Sequence, residues 1–408
     1  MTRRLEVIGG GDAGAVETAL RAALSGTGPA ILPSDEAVPA GPRHASLASG
    51  GDGGSRHPVP DRVAKNVALV IETSGSSGVP KRVALSANAL LASAAATESA
   101  LGGSGQWLLA LPTHYIAGVQ VLVRSIVAGT APVAMAPGHF SARTFAALVD
   151  ELDAPLKFSS IVPAQLARLV DAAESDEAVR DSLRRLDALL IGGQAVPAAL
   201  FARATDLGVR VMRTYGSSET AGGCVYDGRP IGRTEARVVG GELELAGPML
   251  AEGYLGDDEL TERKFHIDDG RRWYRTADSG SVTRGDDGGV TVAVSGRIDN
   301  VIISGGIKVA LDRVERAVQA EEGFHSAIVV PQPSDVWGQT SVVVTAEPFD
   351  DGALERLRAR VTETVGRAAA PSRIELLPII PTLSSGKPDR LSVARALAAH
   401  PAADQSAH

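Results

Sequence analysis

A run of small residues between two apolar segments narrows the choice of folds more than any other feature of this chain. VALVIE (Val67–Glu72) leads into it and RVALS (Arg82–Ser86) leaves it, while Thr73 to Val79 are nearly all Gly, Ser or Thr. Lys81 follows two positions on. Short apolar runs bounded by Gly and Ser read as strands, so strand, loop and strand are expected here. Such a loop can hold an anion through its hydroxyls and free backbone N–H groups, with the lysine as a nearby charge. The Walker A pattern Gly-x-x-x-x-Gly-Lys-Ser/Thr does not fit. Five residues after Gly75 comes Pro80, and Lys81 is followed by Arg82 and a β-type run. A Walker loop opens straight into a helix. A P-loop kinase or GTPase is thereby excluded, and a plain hairpin tip remains as the structural alternative.

The bulk properties bound the setting. At 408 residues the chain exceeds one compact core, since domains usually run to about 100–200 residues. Two units are expected. Hydrophobic residues at 44% and charged residues at 22% are ordinary globular proportions. A net charge of −8 gives no basic field for nucleic acid or anionic membrane. The lone Cys224 excludes an internal disulfide and a multi-thiolate metal site, which fits a reducing cytoplasm. MTRRLEVIGGG lacks the apolar core of a signal peptide, and no run approaches the ~20 apolar residues of a membrane span.

The order of elements gives the fold class. Ala45 to Pro60 is a Gly/Ser/Pro cluster that reads as a loop or linker, and the helical stretch before it ends at Gly26. From Asn66 onward, VALVIE, WLLALP, LDALLIGG and VRVMRTYG read as strands. SANALLASAAATESAL and SARTFAALVDEL read as helices capped by Ser86 and Ser141. That alternation predicts an α/β fold whose loops carry the chemistry. Beyond Gly232 the pattern shortens to strands. After Ser295 a compact α+β unit follows, ending in the loop PTLSSGKPDR.

At this point the sequence resembles the adenylate-forming enzymes, which include acyl-CoA synthetases, luciferases and peptide-synthetase adenylation domains. The resemblance rests on seven motifs in order, from Glu72 to Arg390. They are TSGSSGVPK, GGQAVP (Gly192–Pro197), RTYGSSETAGG (Arg213–Gly223), GELELAGPMLAEGY ending at Tyr254, WYRTADSG, SGRIDNVIISGGIKV and SSGKPDR. It implies the acyl-CoA synthetase (ANL) fold: a large multilayered N-terminal AMP-binding domain, 1–298, and a small mobile C-terminal lid, 299–408, with its hinge near Asp299. Only 71 residues precede Glu72, fewer than the family usually carries, so a reduced N-terminal subdomain is expected.

The same resemblance assigns roles. Forming an acyl-adenylate brings a carboxylate against the α-phosphate of ATP, so the protein must supply positive charge and alignment. Thr73, Ser74, Gly75, Ser76, Ser77 and Gly78 would wrap the phosphates, with Lys81 and Ser218 beside them. Glu219 would hold Mg²⁺ together with phosphate oxygens. Gly192, Gly193, Gln194, Tyr215 and Gly216 would form the adenine side, with Tyr215 stacking on the base. Asp278 and Arg297 would meet the ribose, and Ala277 stands where the family usually has glycine. Lys387 would stabilise the charge that builds up in the transition state. Ser304, Gly305 and Gly306 would line the entry of a coenzyme A thiol, although a plain turn fits them almost as well.

The acid is read from LPTHYIAGVQVLVRSI (Leu111–Ile126) and ETAGGCVYDGRPIG, which together look most like the o-succinylbenzoate–CoA ligases of menaquinone biosynthesis. His114 would gate the carboxylate, and Ile116, Gly118, Thr220 and Gly222 would shape the pocket, with Gly223 leaving room for an aromatic ring. A second carboxylate on such a substrate needs a partner, for which Arg124 is the candidate, its direction being illegible from sequence. ATP, Mg²⁺ and coenzyme A are the implied cofactors and substrates, and a homodimer is compatible with the resemblance. Other readings stay open: another aryl or acyl ligase, one that passes its adenylate to a carrier protein, or a silent nucleotide-binding scaffold.

Overall fold

The computed structural model describes residues 1–35, 58–73, 80–382 and 388–399. Most of Ala45–Pro60, together with Ser74, Gly75, Ser76, Ser77, Gly78 and Lys387, lies outside the described residues. Within them the strands form four sheets. The first contains Val67–Thr73 and Lys81–Ser86 as antiparallel neighbours, with Thr73 opposite Lys81. The two expected strands are therefore present, and their facing ends meet.

The second sheet supplies the α/β character. Strands Gln106–Leu109, Lys157–Ile161, Ala188–Ile191 and Val211–Ser217 run parallel, and Gly222–Tyr226 then turns back antiparallel to the last of them. Three helices, Ala13–Leu24, Ala87–Ala100 and Ile116–Ala128, fill the space between the two sheets. Val16, Leu20, Leu69, Ile71, Leu85, Leu90, Leu122 and Val225 share one core there. Ile116–Ala128 is buried on nearly every side, as its continuous apolar sequence requires. Truncating Leu122 to Ala would cost roughly 2–5 kcal/mol through the cavity it leaves. Ser86 and Ser141 cap their helices as expected, accepting from Ala89 N–H and Thr144 N–H.

The third sheet is antiparallel and carries the long strand Arg271–Arg284 between Glu242–Ala246 and Val290–Arg297. It also holds an element that the sequence pattern does not announce, the seven-residue helix Asp258–Lys264, capped by Asp257 accepting from Leu260 N–H. At that length no apolar face develops and none of its residues is buried, so periodicity is silent. From Val301 onward a fourth sheet has its own apolar core of Ile302, Val309, Leu311, Val314, Phe324, Val343 and Leu357.

Candidate active site

The loops after the parallel strands converge at their C-terminal ends, where open α/β sheets gather ligands. One is the turn after Val211–Ser217. Gly216 must be glycine, since a Cβ there would lie 2.1 Å from the carbonyl oxygen of Gly222. The chain then makes a single 3₁₀ turn over Ser218–Thr220, and Ala221 follows with φ +49°. Thr220 is fully buried; its Oγ1 accepts from Ser217 N–H at 2.8 Å and donates to the carbonyl of Gly222 at 2.7 Å. That hydroxyl is spent on the turn, which changes the expectation that Thr220 faces the acid.

The turn presents Glu219. Its Oε1 accepts from the Tyr254 hydroxyl at 2.8 Å, and its backbone oxygen accepts from Ala251 N–H at 2.8 Å. Burial, and then the Glu219 charge, push the Tyr254 phenol well above its ordinary range, so it remains a donor. One carboxylate oxygen is thereby fixed. Among the described residues no group of three His, Cys, Asp or Glu side chains gathers around a point. A single carboxylate suits Mg²⁺, which takes one or two protein ligands together with substrate phosphate oxygens.

A second tyrosine–carboxylate pair stands across the site. Tyr215 donates to Asp278 Oδ2 at 2.6 Å, and Asp278 faces Arg297 in the strand register, with guanidinium and carboxylate 3.6 Å apart. Arg297 makes its short contacts elsewhere, a two-pronged pair with Asp299 at 2.7 and 2.8 Å. Burial raises the Asp278 pKa, against the Tyr215 hydrogen bond and the Arg297 charge, which pull it down. Asp299 is held below the usual carboxylate range by Arg297. Buried Tyr274 lies within electrostatic reach of Glu219, Tyr254 and Tyr215 and joins the two pairs. Ala277 has φ +62°, a left-handed backbone that glycine adopts freely and alanine only at a cost. The family's glycine at this position thus has a backbone reason.

In the loop expected to face adenine, Gly192 and Gly193 follow Ala188–Ile191, whose neighbour Val211–Ser217 carries Tyr215. A Cβ on Gly192 would meet Thr214 Oγ1 at 2.6 Å, and Gly193 has φ +84°. Gln194 is half-buried in the same loop.

Two of the residues expected to meet the acid, Ile116 and Arg124, stand along one helix face. Ile116, Gln120 and Arg124 are spaced at i, i+4 and i+8, so they line up. Gln120 donates to the carbonyl of Ala221 at 2.7 Å, and a Cβ on Gly222 would lie 3.2 Å from Gln120 and 4.0 Å from Ile116. Arg124 is 7% exposed; it contacts the Tyr226 hydroxyl at 3.5 Å and lies over the Trp107 ring at 4.8 Å. Its Nε has no hydrogen-bond partner, and no carboxylate pairs with it among the described residues. Burial lowers its pKa. At the other end of the face, His114 packs on Tyr115, with ring centroids 4.2 Å apart, and its Nδ1 is 3.8 Å from Asp35. Burial lowers the His114 pKa, with Asp35 opposing, and its Nε2 is buried without a partner among the described residues. The missing side chain of Gly118 is required by the carbonyl of Pro112, 2.2 Å from where a Cβ would be. Cys224 is buried and its thiol is pushed up to about 12, which removes it as a nucleophile.

Towards the C-terminus, Ser304 ends a strand and Gly305 and Gly306, with φ +56° and +82°, form a two-residue hairpin turn. Ser304 is buried, and a Cβ on Gly305 would meet the Trp337 ring at 2.7 Å, a partner the sequence did not suggest. Thr382 and Pro388 form an isolated bridge that brings the flanks of Lys387 together. Arg390 ties that end to Glu315 and to the carbonyl of Val329, both at 2.8 Å.

With this geometry in hand, known proteins bear on it. The chain matches the family described as AMP-binding enzyme over residues 25–255. A probable 2-succinylbenzoate–CoA ligase from Mycobacterium tuberculosis (strain ATCC 25618 / H37Rv) is 37% identical over 403 residues, covering 97% of this chain and 98% of the relative. The 2-succinylbenzoate–CoA ligase of Escherichia coli (strain K12) is 30% identical over 324 residues, covering 77% and 65%. Among solved structures, the o-succinylbenzoate coenzyme A synthetase of Bacillus subtilis in complex with ATP and magnesium ion has a TM-score of 0.66 at 22% identity. That likeness covers 82% of this chain and 71% of the other and shows the shared fold.

Proposed function

The chain belongs to the AMP-binding enzyme family, and from that premise we propose that it joins 2-succinylbenzoate to coenzyme A in menaquinone biosynthesis. In the first half-reaction a carboxylate oxygen attacks the α-phosphorus of ATP, and pyrophosphate leaves with the electrons of the broken P–O bond. In the second, the coenzyme A thiol attacks the acyl carbon, loses its proton and expels AMP. Glu219 and phosphate oxygens hold Mg²⁺, while Thr73 to Gly78, Lys81 and Ser218 hold the phosphates. Tyr215 and the Gly192–Gln194 loop face adenine, and Asp278 with Arg297 takes the ribose. Lys387 acts on the first step, His114 gates the acid, and the Ser304–Gly306 turn belongs to the thiol side. The chain divides at Asp299 into 1–298 and a lid, 299–408, which turns between the half-reactions. No helix among the described residues is long and apolar enough to cross a membrane, and a cytoplasmic site of action fits this chemistry.

One observation carries the substrate choice: Arg124 is buried, stacked on Trp107 and, among the described residues, without a carboxylate partner. An unpaired buried charge is expensive, and a substrate whose second carboxylate reaches it offsets that cost. Benzoate or a fatty acid would leave it unpaired. The test is pyrophosphate release with ATP, Mg²⁺ and o-succinylbenzoate, with and without coenzyme A, against benzoate, salicylate and a medium-chain fatty acid. Thioester formation with o-succinylbenzoate alone supports the reading. Activity only with a control acid keeps the ligase chemistry and discards the substrate, and no pyrophosphate from any acid discards both.

A further inference from the structure

Two helices, Ala87–Ala100 and Ile116–Ala128, hold the strand Gly222–Tyr226 at both of its ends. Just before the strand, the carbonyl of Ala221 accepts from the Ser93 hydroxyl at 2.9 Å and from the Gln120 side chain at 2.7 Å. At its far end, the Tyr226 hydroxyl meets Thr97 Oγ1 at 2.8 Å and the Arg124 guanidinium at 3.5 Å. Ser93 and Thr97 stand one turn apart on the first helix, as Gln120 and Arg124 do on the second. All five side chains are buried.

The protons at the Tyr226 end run one way. A guanidinium has no acceptor, so the Tyr226 oxygen accepts from Arg124. Thr97 has a single hydroxyl proton and donates it to the carbonyl of Ser93 at 3.0 Å, so the Tyr226 proton goes to Thr97. With that proton committed, the tyrosine turns its lone pairs to the guanidinium, and each bond polarises the next. The Trp107 ring is the second neighbour, its centroid 4.8 Å from the guanidinium carbon. A phenol and an indole are both neutral. They hold the guanidinium in place without cancelling its charge, and Nε has no partner among the described residues.

We propose that Tyr226 and Thr97 are positioning residues for acid specificity, aiming Arg124 at the second carboxylate of the acid while leaving its charge free to meet it. Tyr226 acts through Arg124, and Thr97 through Tyr226. The proposal rests on the ligase reading above, in which Arg124 receives that carboxylate.

The experiment uses the full chain and its Tyr226→Phe, Thr97→Val and Thr97→Ser variants, with Tyr226→Phe made also in an Arg124→Met background. Melting curves check folding, and pyrophosphate release gives kcat and the KM values for o-succinylbenzoate and ATP. Tyr226→Phe is expected to raise the KM for o-succinylbenzoate about fivefold, with kcat and the KM for ATP unchanged. Thr97→Val is expected to move the same KM by less, and Thr97→Ser, which keeps the hydroxyl, to restore it. Where Arg124 is already Met, Tyr226→Phe is expected to add nothing, because there is no guanidinium left to aim. A rise that persists undiminished in that background, or one that falls equally on ATP, overturns the proposal and makes Tyr226 a packing residue. Should Tyr226→Phe melt far below the wild type, the Thr97 pair decides, and equal KM values for its Val and Ser forms overturn the proposal. A raised KM in Arg124→Met beside an unchanged one in Tyr226→Phe overturns it alone and leaves the ligase reading standing. An unchanged KM in Arg124→Met removes the arginine from the acid and sinks both.

Discussion

Tyr215 donates its hydroxyl to Oδ2 of Asp278 across 2.6 Å, although the two residues stand on strands of different sheets. The bond supports the ionised carboxylate, which burial works against. In the proposed role the ionised carboxylate accepts from both ribose hydroxyls; losing the bond raises its pKa further and leaves less of that form at low pH. In Tyr215→Phe the acid limb of kcat/KM for ATP is expected to move to higher pH. A pH profile of pyrophosphate release measures it, and an unmoved limb would mean that the bond only holds strands together.

Glu219 and Tyr254 make the matching pair where Mg²⁺ binding is proposed. Glu219→Gln keeps the shape and removes the charge, so adenylate formation is expected to fall by about 10²-fold or more. Tyr254→Phe leaves the charge and frees the carboxylate to swing, for a loss of about tenfold. The Mg²⁺ concentration for half-maximal rate is expected to rise in both. Titrating Mg²⁺ at saturating ATP checks this, and a normal midpoint in both variants would remove Glu219 from the metal.

Much of this arrangement is legible in the sequence, for a physical reason. Val67–Thr73 and Lys81–Ser86 announce themselves because apolar runs are cut off sharply by Gly, Ser and Pro, and Ser86 and Ser141 mark helix starts with a hydroxyl at the right offset. Long-range partners leave no such mark. Tyr254 reaches Glu219 from 35 positions away, and Trp337 covers Gly305 from another hairpin. Arg124 could have pointed outward, and only the packing of its helix against Gly222–Tyr226 decides that it does not. Ser304–Gly306 and Gly118 have a local reason for their small residues that the sequence does not show, a tight turn at the one and the carbonyl of Pro112 at the other.

Ala277 offers a test of backbone cost near the site. A left-handed alanine gives up about 1–2 kcal/mol that glycine does not, while glycine costs more to order on folding. The two effects oppose, so Ala277→Gly is expected to change stability by less than about 1 kcal/mol and to retain activity. Ala277→Val adds a β-branched side chain at a buried positive φ and is expected to destabilise by more than about 2 kcal/mol. Urea unfolding of both variants decides it. Equal stabilities would mean that this backbone relaxes without consequence.

Arg124 yields the sharpest separation of stability from function. Replacing it with Met removes a buried charge that has no counterion among the described residues and keeps most of the side chain's bulk against Trp107. Exchanges of this kind are commonly neutral or stabilising by ~1–4 kcal/mol. Arg124→Met is therefore expected to melt no lower than the wild type while its KM for o-succinylbenzoate rises about tenfold or more, the loss of one charge-assisted contact. Benzoate, with nothing to offer the arginine, is expected to be used no worse. Melting curves beside steady-state kinetics with both acids make the comparison. A variant that melts lower and loses both acids alike would make Arg124 part of the scaffold, held by Tyr226 and Trp107 for packing alone. A variant that melts no lower and discriminates between the acids would mark it as the group that reads the second carboxylate.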